Sequence, residues 1–285
     1  MKTVLVTGGA GFIGSHLCEH LLRTGWRVVV VDNLDDFYDV KLKRANLEAI
    51  KHAGEYEFYP VDIRDSARLE EVFQNARPEA VVHLAARAGV RPSLLYPGLY
   101  TSVNVGGTVR LLELSRKYQV QRFVFASSSS VYGQFNHVPF SEDDSIAKPL
   151  SVYAATKAAG EMLVFTYSHL YQLPAICLRV FTVFGPRQRP DLAIRKFAQL
   201  IQQGKELPVY GDGSMSRDYT YVSDAVAAID RALACSYPFE IFNLGNARPI
   251  RLDYMIGALE AALGRPLRRQ RWHRHSCHHM VDRVV

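Results

Sequence analysis

The stretch Thr3-Val4-Leu5-Val6-Thr7-Gly8-Gly9-Ala10-Gly11-Phe12-Ile13-Gly14-Ser15 decides the fold. Val4 to Thr7 is apolar on both faces, as a strand inside a parallel sheet must be. Glycines follow at once, and Ser15 to Arg23 has helical spacing, with Gly25 just past its end. Glycine serves the tight turn, the close approach of backbone to a pyrophosphate, and helix–strand packing; the helix start then offers free N–H groups to phosphate. A second strand, Arg27 to Val31, leads to Asp32, 18 residues after Gly14. An acid there binds the hydroxyls of an adenosine ribose and repels a 2′-phosphate, so NAD is expected and NADP is not.

The same rhythm continues outward. Tyr56 to Val61, Ala80 to Ala85, Arg122 to Ala126 and Ala175 to Phe181 are further strands, with helices at Ser66 to Asn75, Val105 to Tyr118 and Ser151 to Tyr171. Apolar strands separated by helices imply an α/β fold, a doubly wound parallel sheet of the Rossmann type. After Gly185 the elements become small and mixed: a helix from Asp191 to Gln203, short strands at Leu207 to Tyr210, Tyr219 to Val222 and Phe239 to Leu244, and a last helix with one face at Leu252, Met255, Ile256 and Leu259. The expected division is a dinucleotide-binding domain over residues 1–180, joined by about 218–245, and substrate-lobe segments over 181–264.

Composition narrows the class. Of 285 residues, 48% are hydrophobic and 22% charged, a globular balance that excludes a disordered chain. No apolar run reaches the ~20 residues of a membrane span, and no secretory signal is expected. The net charge of +6 is concentrated in Arg265 to Val285, which carries six Arg against Asp282 alone. The body is therefore near neutral, and a nucleic-acid partner is not expected. Cys18, Cys177, Cys235 and Cys277 form no C-x-x-C pair, which suits free thiols in a reducing cytoplasm. His273, His275, Cys277, His278 and His279 are metal-ligating types, but no second ligand cluster completes a site, so no metal is expected. Residues 265–285 lack an apolar period and are expected to be a mobile tail.

Two features carry chemistry. Tyr153 and Lys157 stand four apart on a helix and share a face. A lysine cation beside a phenol is expected to lower its pKa and make it a usable base near neutral pH. Ser127-Ser128-Ser129-Ser130 ends the fifth strand 25 residues before Tyr153, where a serine can share a proton with the same substrate hydroxyl. Asp62-Ile63 and Ala85-Ala86 end the third and fourth strands, on the sheet edge where ligands of this fold sit. Asp62 is either an adenine-binding acid or a turn acid.

Together the glycine turn, Asp32, His83-Leu84-Ala85-Ala86, Ser-Ser-x-Val131-Tyr132-Gly133 and Tyr153-x-x-x-Lys157 resemble the extended short-chain dehydrogenase/reductase family of nucleotide-sugar epimerases and dehydratases. Asp35-Asp36-Phe37-Tyr38-Asp39, Lys43-Arg44-Ala45-Asn46-Leu47, Arg87-Ala88-Gly89-Val90-Arg91 and the run Phe181 to Asp191 further resemble bacterial UDP-glucuronate 4-epimerases. The resemblance implies Ser128 as the catalytic hydroxyl, Tyr153 as the base and Lys157 as its partner. It implies a cofactor set of Gly8, Gly11, Phe12, Ile13, Gly14, Asp32, Asn33, Asp62, Ile63, Ala85, Ala86 and Asn104, with Tyr153 and Lys157 at the nicotinamide. For a UDP-sugar it implies Arg91, Ser129, Ser130, Thr182, Arg187, Arg189 and Arg217, with Arg217 on the diphosphate and Arg189, ahead of Arg187, on a sugar carboxylate. Related dehydratases and decarboxylating enzymes carry an acid just before Val-Tyr-Gly. Ser129 and Ser130 stand there instead, which argues against both.

The implied activity is NAD-dependent epimerisation of a UDP-sugar at C4 through a 4-ketone, with UDP-glucuronate and UDP-galacturonate as the pair. The alternatives are the UDP-glucose/UDP-galactose pair, or an NAD-binding protein of low activity. A homodimer is implied by resemblance alone, and the cytoplasm is expected from the free thiols. Family members continue past a helix such as Leu252 to Leu263 with elements that the tail does not resemble. An incomplete substrate lobe and weak UDP-sugar affinity are therefore expected.

Overall fold

A computed structural model describes residues 1–134, 136–210, 213–266 and 269–272. Its core is a seven-stranded sheet built from β1 (Thr3–Thr7), β2 (Arg27–Val31), β3 (Glu57–Tyr59), β4 (Ala80–His83), β5 (Arg122–Ala126), β6 (Ala175–Val180) and β10 (Phe239–Leu244). The spatial order is β10-β6-β5-β4-β1-β2-β3, and every pairing is parallel. Order reverses between β1 and β4, which opens a crevice at their C-terminal ends.

Strand side chains alternate between two apolar layers. Val4, Val6, Val28 and Val30 face α1 (Phe12–Arg23), α2 (Val40–Lys51) and α9 (Val222–Ala234), meeting Leu17, Leu21, Ile50 and Ile229. Leu5, Val29, Val81 and Phe125 face α3 (Ser66–Ala76), α6 (Gly107–Lys117) and α7 (Val152–Tyr171), meeting Leu69, Phe73, Leu111 and Val164. Ser151 caps α7 by accepting from Ala154 N at 3.1 Å, and Asp65 caps α3 by accepting from Arg68 N at 3.1 Å.

Between β4 and α6 lie α4 (Val90–Leu95), α5 (Pro97–Thr101) and a π-helical segment, Ser102–Gly106. The sequence pattern showed none of these breaks, nor α2. Only Lys43, Asn46, Leu47 and Ile50 of α2 are buried, and two of these are polar, so its apolar periodicity is faint. A smaller lobe contains β7 (Thr182–Phe184), α8 (Ala193–Gln202), β8 (Leu207–Tyr210), β9 (Ser216–Tyr221), β11 (Pro249–Arg251) and α10 (Leu252–Leu263). Its main sheet runs β11-β9-β7, and Ile201 of α8 packs on Ile256 of α10.

The tail needs a correction. Arg269–Trp272 forms β12, which pairs in parallel with β8. The apolar pattern gave no strand there, because a four-residue edge pairing needs only backbone partners. The five metal-ligating types from His273 to His279 lie outside the described residues. Among the described residues no group of metal-ligating side chains is gathered, and no helix is long and apolar enough to cross a membrane.

One packing contact ties the sheet to α7. A Cβ at Gly160 would stand 2.9 Å from Cε1 of the buried Phe125 ring. Gly160→Ala should therefore destabilise, despite its better helix propensity, by about 1–2 kcal/mol net. Thermal unfolding should show a Tm about 2–8 °C lower; an unchanged or higher Tm would mean the ring yields freely.

Candidate active site

The turn between β1 and α1 has no room for side chains at its glycines. Gly8 has φ +73°, and a Cβ on it would lie 2.8 Å from Ala85 N. A Cβ on Gly14 would stand 2.7 Å from Gly9 Cα and run into Gly8 O. Gly11 caps α1 without a side-chain hydrogen bond, so the first-turn amides are left to face the crevice. Phe12 and Ile13 turn into the apolar layer beneath. This cradle fits a dinucleotide pyrophosphate by the absence of Cβ atoms and by its aligned donors.

Asp32 follows β2 and is buried. Its Oδ2 accepts from Ala10 N at 3.2 Å and its Oδ1 from Leu34 N at 2.9 Å. Lys43 of α2, also buried, lies 3.4 Å from the same carboxylate, and its ammonium sits 5.3 Å from the Tyr38 ring centre. Asn46 donates to Ala10 O at 2.9 Å and so braces the glycine turn. The sequence reading used Lys43 and Asn46 only as part of a resemblance. Their burial on a polar helix was the missed signal.

Asp62 is a turn acid with one further neighbour. It accepts from Arg64 N at 2.8 Å, receives the Arg64 guanidinium side-on, and accepts from Asn33 Nδ2 at 2.9 Å. Those bonds hold its pKa down at about 2. Ile63 packs under Gly107, and Ala85 N donates to Thr7 Oγ1 at 3.2 Å. Asn104 is buried, and its amide is spent on protein: it accepts from Arg87 N at 2.8 Å and donates to Arg87 O and Thr156 Oγ1, both at 3.0 Å. It holds the backbone beside Ala86 in place.

The serine turn and α7 meet at the end of β5. Ser128 Oγ donates to Ser130 Oγ at 3.0 Å, accepts from Ser130 N at 3.2 Å, and lies beside the Tyr153 phenol. Ser129 and Ser130 begin a short 3-10 turn, Ser129–Tyr132, and are half-buried. Lys157 is buried; its Nζ donates to Ala126 O at 2.7 Å and sits 5.0 Å from the Phe125 ring centre. Tyr153 also stands edge-on to Tyr100, with ring centres 6.5 Å apart.

The expected low phenol pKa is not what the protein alone produces. Burial pushes Tyr153 above its ordinary value, while the Ser128 bond and the Arg189 charge pull it back. Burial also lowers Lys157 to about 8, against the opposing pull of Glu161. Desolvation disfavours both charged forms, and it outweighs the attraction that helix spacing alone suggested.

The arginines separate into three settings. Arg189 is gathered toward Tyr153: it acts on the phenol's charge, pairs side-on with Asp191 at 2.9 and 3.0 Å, and lies 5.7 Å from the Phe37 ring centre. Arg87, which the sequence reading used only as part of a resemblance, lies on the same ring at 5.6 Å and pairs with Asp35 at 2.7 Å. Arg187 is committed to α1, where it pairs with Glu19 at 2.6 Å and reaches Ser15 Oγ at 3.3 Å. Its φ is +63°. Arg91 is exposed on the first turn of α4, and Arg217 is exposed on β9, donating to Ser216 O at 3.0 Å. Thr182 opens β7 and is half-buried, in register with Tyr219.

Comparison with known proteins agrees with this geometry. The model of the NAD dependent epimerase/dehydratase family matches residues 4–245. A UDP-glucuronate 4-epimerase of Thermodesulfobacterium geofontis is 43% identical over 272 residues, covering 95% of this chain and 83% of the relative. A UDP-glucuronic acid 4-epimerase of Bacillus cereus, solved with UDP-glucuronic acid and NAD, superposes with a TM-score of 0.88 at 34% identity, covering 94% of this chain and 85% of that one. A UDP-glucose 4-epimerase of Thermotoga maritima, solved with UDP-glucose, gives 0.85 at 34% identity over the same shares. A cradle closed to Cβ atoms, a carboxylate after the second strand and a Ser-Tyr-Lys group at the sheet edge are thus found in a chain that belongs to the NAD dependent epimerase/dehydratase family.

Proposed function

We propose that the protein interconverts UDP-glucuronate and UDP-galacturonate at C4. The observation that carries this reading is Arg189, a cation placed to act on the base Tyr153 itself. A UDP-hexose offers that charge no carboxylate to pair with. A sugar C6 carboxylate lies two carbons from C4, so a base at C4 and a cation nearby match a uronic acid. The Bacillus and Thermodesulfobacterium relatives named above support the same substrate.

Ser128 and Tyr153 share the proton of the sugar 4-hydroxyl. Tyr153 accepts it as the C4–H bond opens and returns it when the 4-ketone is reduced on its other face. Bound NAD supplies the hydride acceptor, and its nicotinamide cation favours the phenolate that burial alone disfavours. Lys157, tied to Ala126 O, keeps a cation at the same edge. The ketone of a uronic acid is a β-keto acid and tends to lose CO₂. Arg189 opposes that loss by holding the carboxylate charge where it is. Residues 181–264 form the lobe that takes the sugar nucleotide, and residues 1–180 with about 218–245 hold the cofactor.

The exposed Met162, Phe165 and Tyr171 on α7 suit a face shared by two copies. A cytoplasmic homodimer fits that face and the free thiols of Cys18, Cys177 and Cys235. Sedimentation should give a dimer that Met162→Glu/Phe165→Glu converts to a monomer; a wild-type monomer would exclude this face as an interface.

Incubation with UDP-glucuronate should give UDP-galacturonate, separated by chromatography, and far slower conversion of UDP-glucose. Equal or faster turnover of UDP-glucose would overturn the substrate. Tyr153→Phe should lower turnover by about 10²–10⁴-fold with NAD still bound. A Phe variant of unchanged rate would require another base. Calorimetry should show NAD binding more tightly than NADP. Asp32→Asn should weaken NAD about 10-fold or more and narrow that gap, because a charged acceptor of the ribose is lost.

A further inference from the structure

We propose that the buried Glu161–Arg179 pair is a positioning element for the base, locking the Ser127–Ser128 turn against the helix that carries Tyr153 and Lys157. The proposal rests on the reaction proposed above and names residues that it did not use.

Tyr153, Lys157 and Glu161 recur every four residues along α7, so all three face the end of β5. They hold three consecutive residues there. Lys157 donates to Ala126 O, Ser127 Oγ donates to Glu161, and Ser128 lies beside the Tyr153 phenol. Glu161 in turn is fixed by Arg179 of β6. The guanidinium donates Nε to both carboxylate oxygens at 3.1 and 3.3 Å and Nη2 to Oε2 at 2.9 Å. Both side chains are 3% exposed.

Arg179 also controls the far side of the serine turn. Its Nη1 donates to Tyr132 OH at 3.0 Å and to Glu142 O at 2.9 Å. Tyr132 ends the 3-10 turn that Ser128 begins, and its hydroxyl donates to Asn243 Oδ1 at 2.6 Å. Asn243 N closes the network on Glu142 Oε1 at 2.7 Å. The catalytic hydroxyl thus lies between two anchors of a single network, Ser127 on Glu161 and Tyr132 on Arg179.

Stability does not account for this arrangement. A buried ion pair loses much of its attraction to desolvation, and apolar residues of equal volume often serve as well or better. What the pair adds is direction: five planar donors and a two-oxygen acceptor fix angles that apolar packing leaves loose. Electrostatics add a second effect. Tyr153 and Glu161 on α7, His83 on β4 and Arg179 on β6 are the titratable groups around Lys157. His83, held between Thr7 and Thr108 hydroxyls, stays neutral with a pKa of about 3. Glu161 is the group that raises the Lys157 pKa against burial.

The test compares wild type with Glu161→Gln, which keeps shape and loses charge, and with Glu161→Met/Arg179→Met, which leaves no unpaired buried charge if the single variant fails to fold. In the folded double variant, NAD affinity and the KM for UDP-glucuronate should be unchanged, and kcat should fall by about 10- to 100-fold. The alkaline limb of the kcat profile should move to lower pH, because Lys157 loses its proton more easily. Ultraviolet titration of the Tyr153 phenol, taken as the difference from a matched Tyr153→Phe protein, should shift in the variant. A folded double variant with wild-type kcat and pH profile overturns the proposal. If wild type turns over no UDP-sugar, the functional reading fails instead. The phenol titration then decides the positioning role, and identical curves in wild type and variant overturn it.

Discussion

Parallel pairing of seven strands delivers every strand's C-terminal end to one edge, and the chemistry depends on which residues follow there. Gly8 follows β1, Asp32 follows β2, and Ala85 lies two residues past β4. Ser127 and Ser128 follow β5. Had one strand run the other way, its terminal residues would lie across the full strand length, some 15–20 Å off. The reversal of order between β1 and β4 then decides where along that edge a long ligand fits, because the helices on either side leave to opposite faces.

Burial is the second theme of the site, and it works against the charges that the reaction uses. Tyr153 is held protonated and Lys157 is held near the point of losing its proton. A phenolate beside an ammonium is therefore not the resting state of the isolated protein. Such a site keeps its base quiet until an added positive charge makes the ionised form affordable. The neutral His83 behind it adds no charge of its own.

Legibility followed the range of the constraint. The glycine turn was readable because three close backbone approaches each demand the same residue type within seven positions. Tyr153 and Lys157 were readable because helix geometry fixes their spacing. Lys43 was not, since nothing in a polar stretch says that one lysine turns inward to a carboxylate eleven residues earlier. Arg179 and Glu161 sit in runs that look like ordinary strand and helix, and their meaning appears only when β5, β6 and α7 come together. Asn104 is a different case. Its place at the edge was foreseen, but its amide proved to be occupied by Arg87 and Thr156. Arg187 and Arg189 differ in their partners, Glu19 of α1 against Asp191, and no pattern in the run encodes that difference.

The outer strands have a consequence for the sheet as a whole. A strand such as Arg27–Val31, four valines in five residues, would join neighbouring molecules if it lay at an edge. It lies inside, and the strands that do bound the sheet are poor templates. β3 is three residues long, is followed by Pro60, and carries Glu57 in a pair with Arg27. β10 is longer, but two of its amides are already engaged: Ile241 N donates to Glu240 Oε1 at 3.0 Å and Asn243 N to Glu142 Oε1 at 2.7 Å. A foreign strand arriving at that side would have to displace two carboxylates to complete its ladder. The Glu142 that blunts this edge is the same residue whose carbonyl receives Arg179 behind the serine turn.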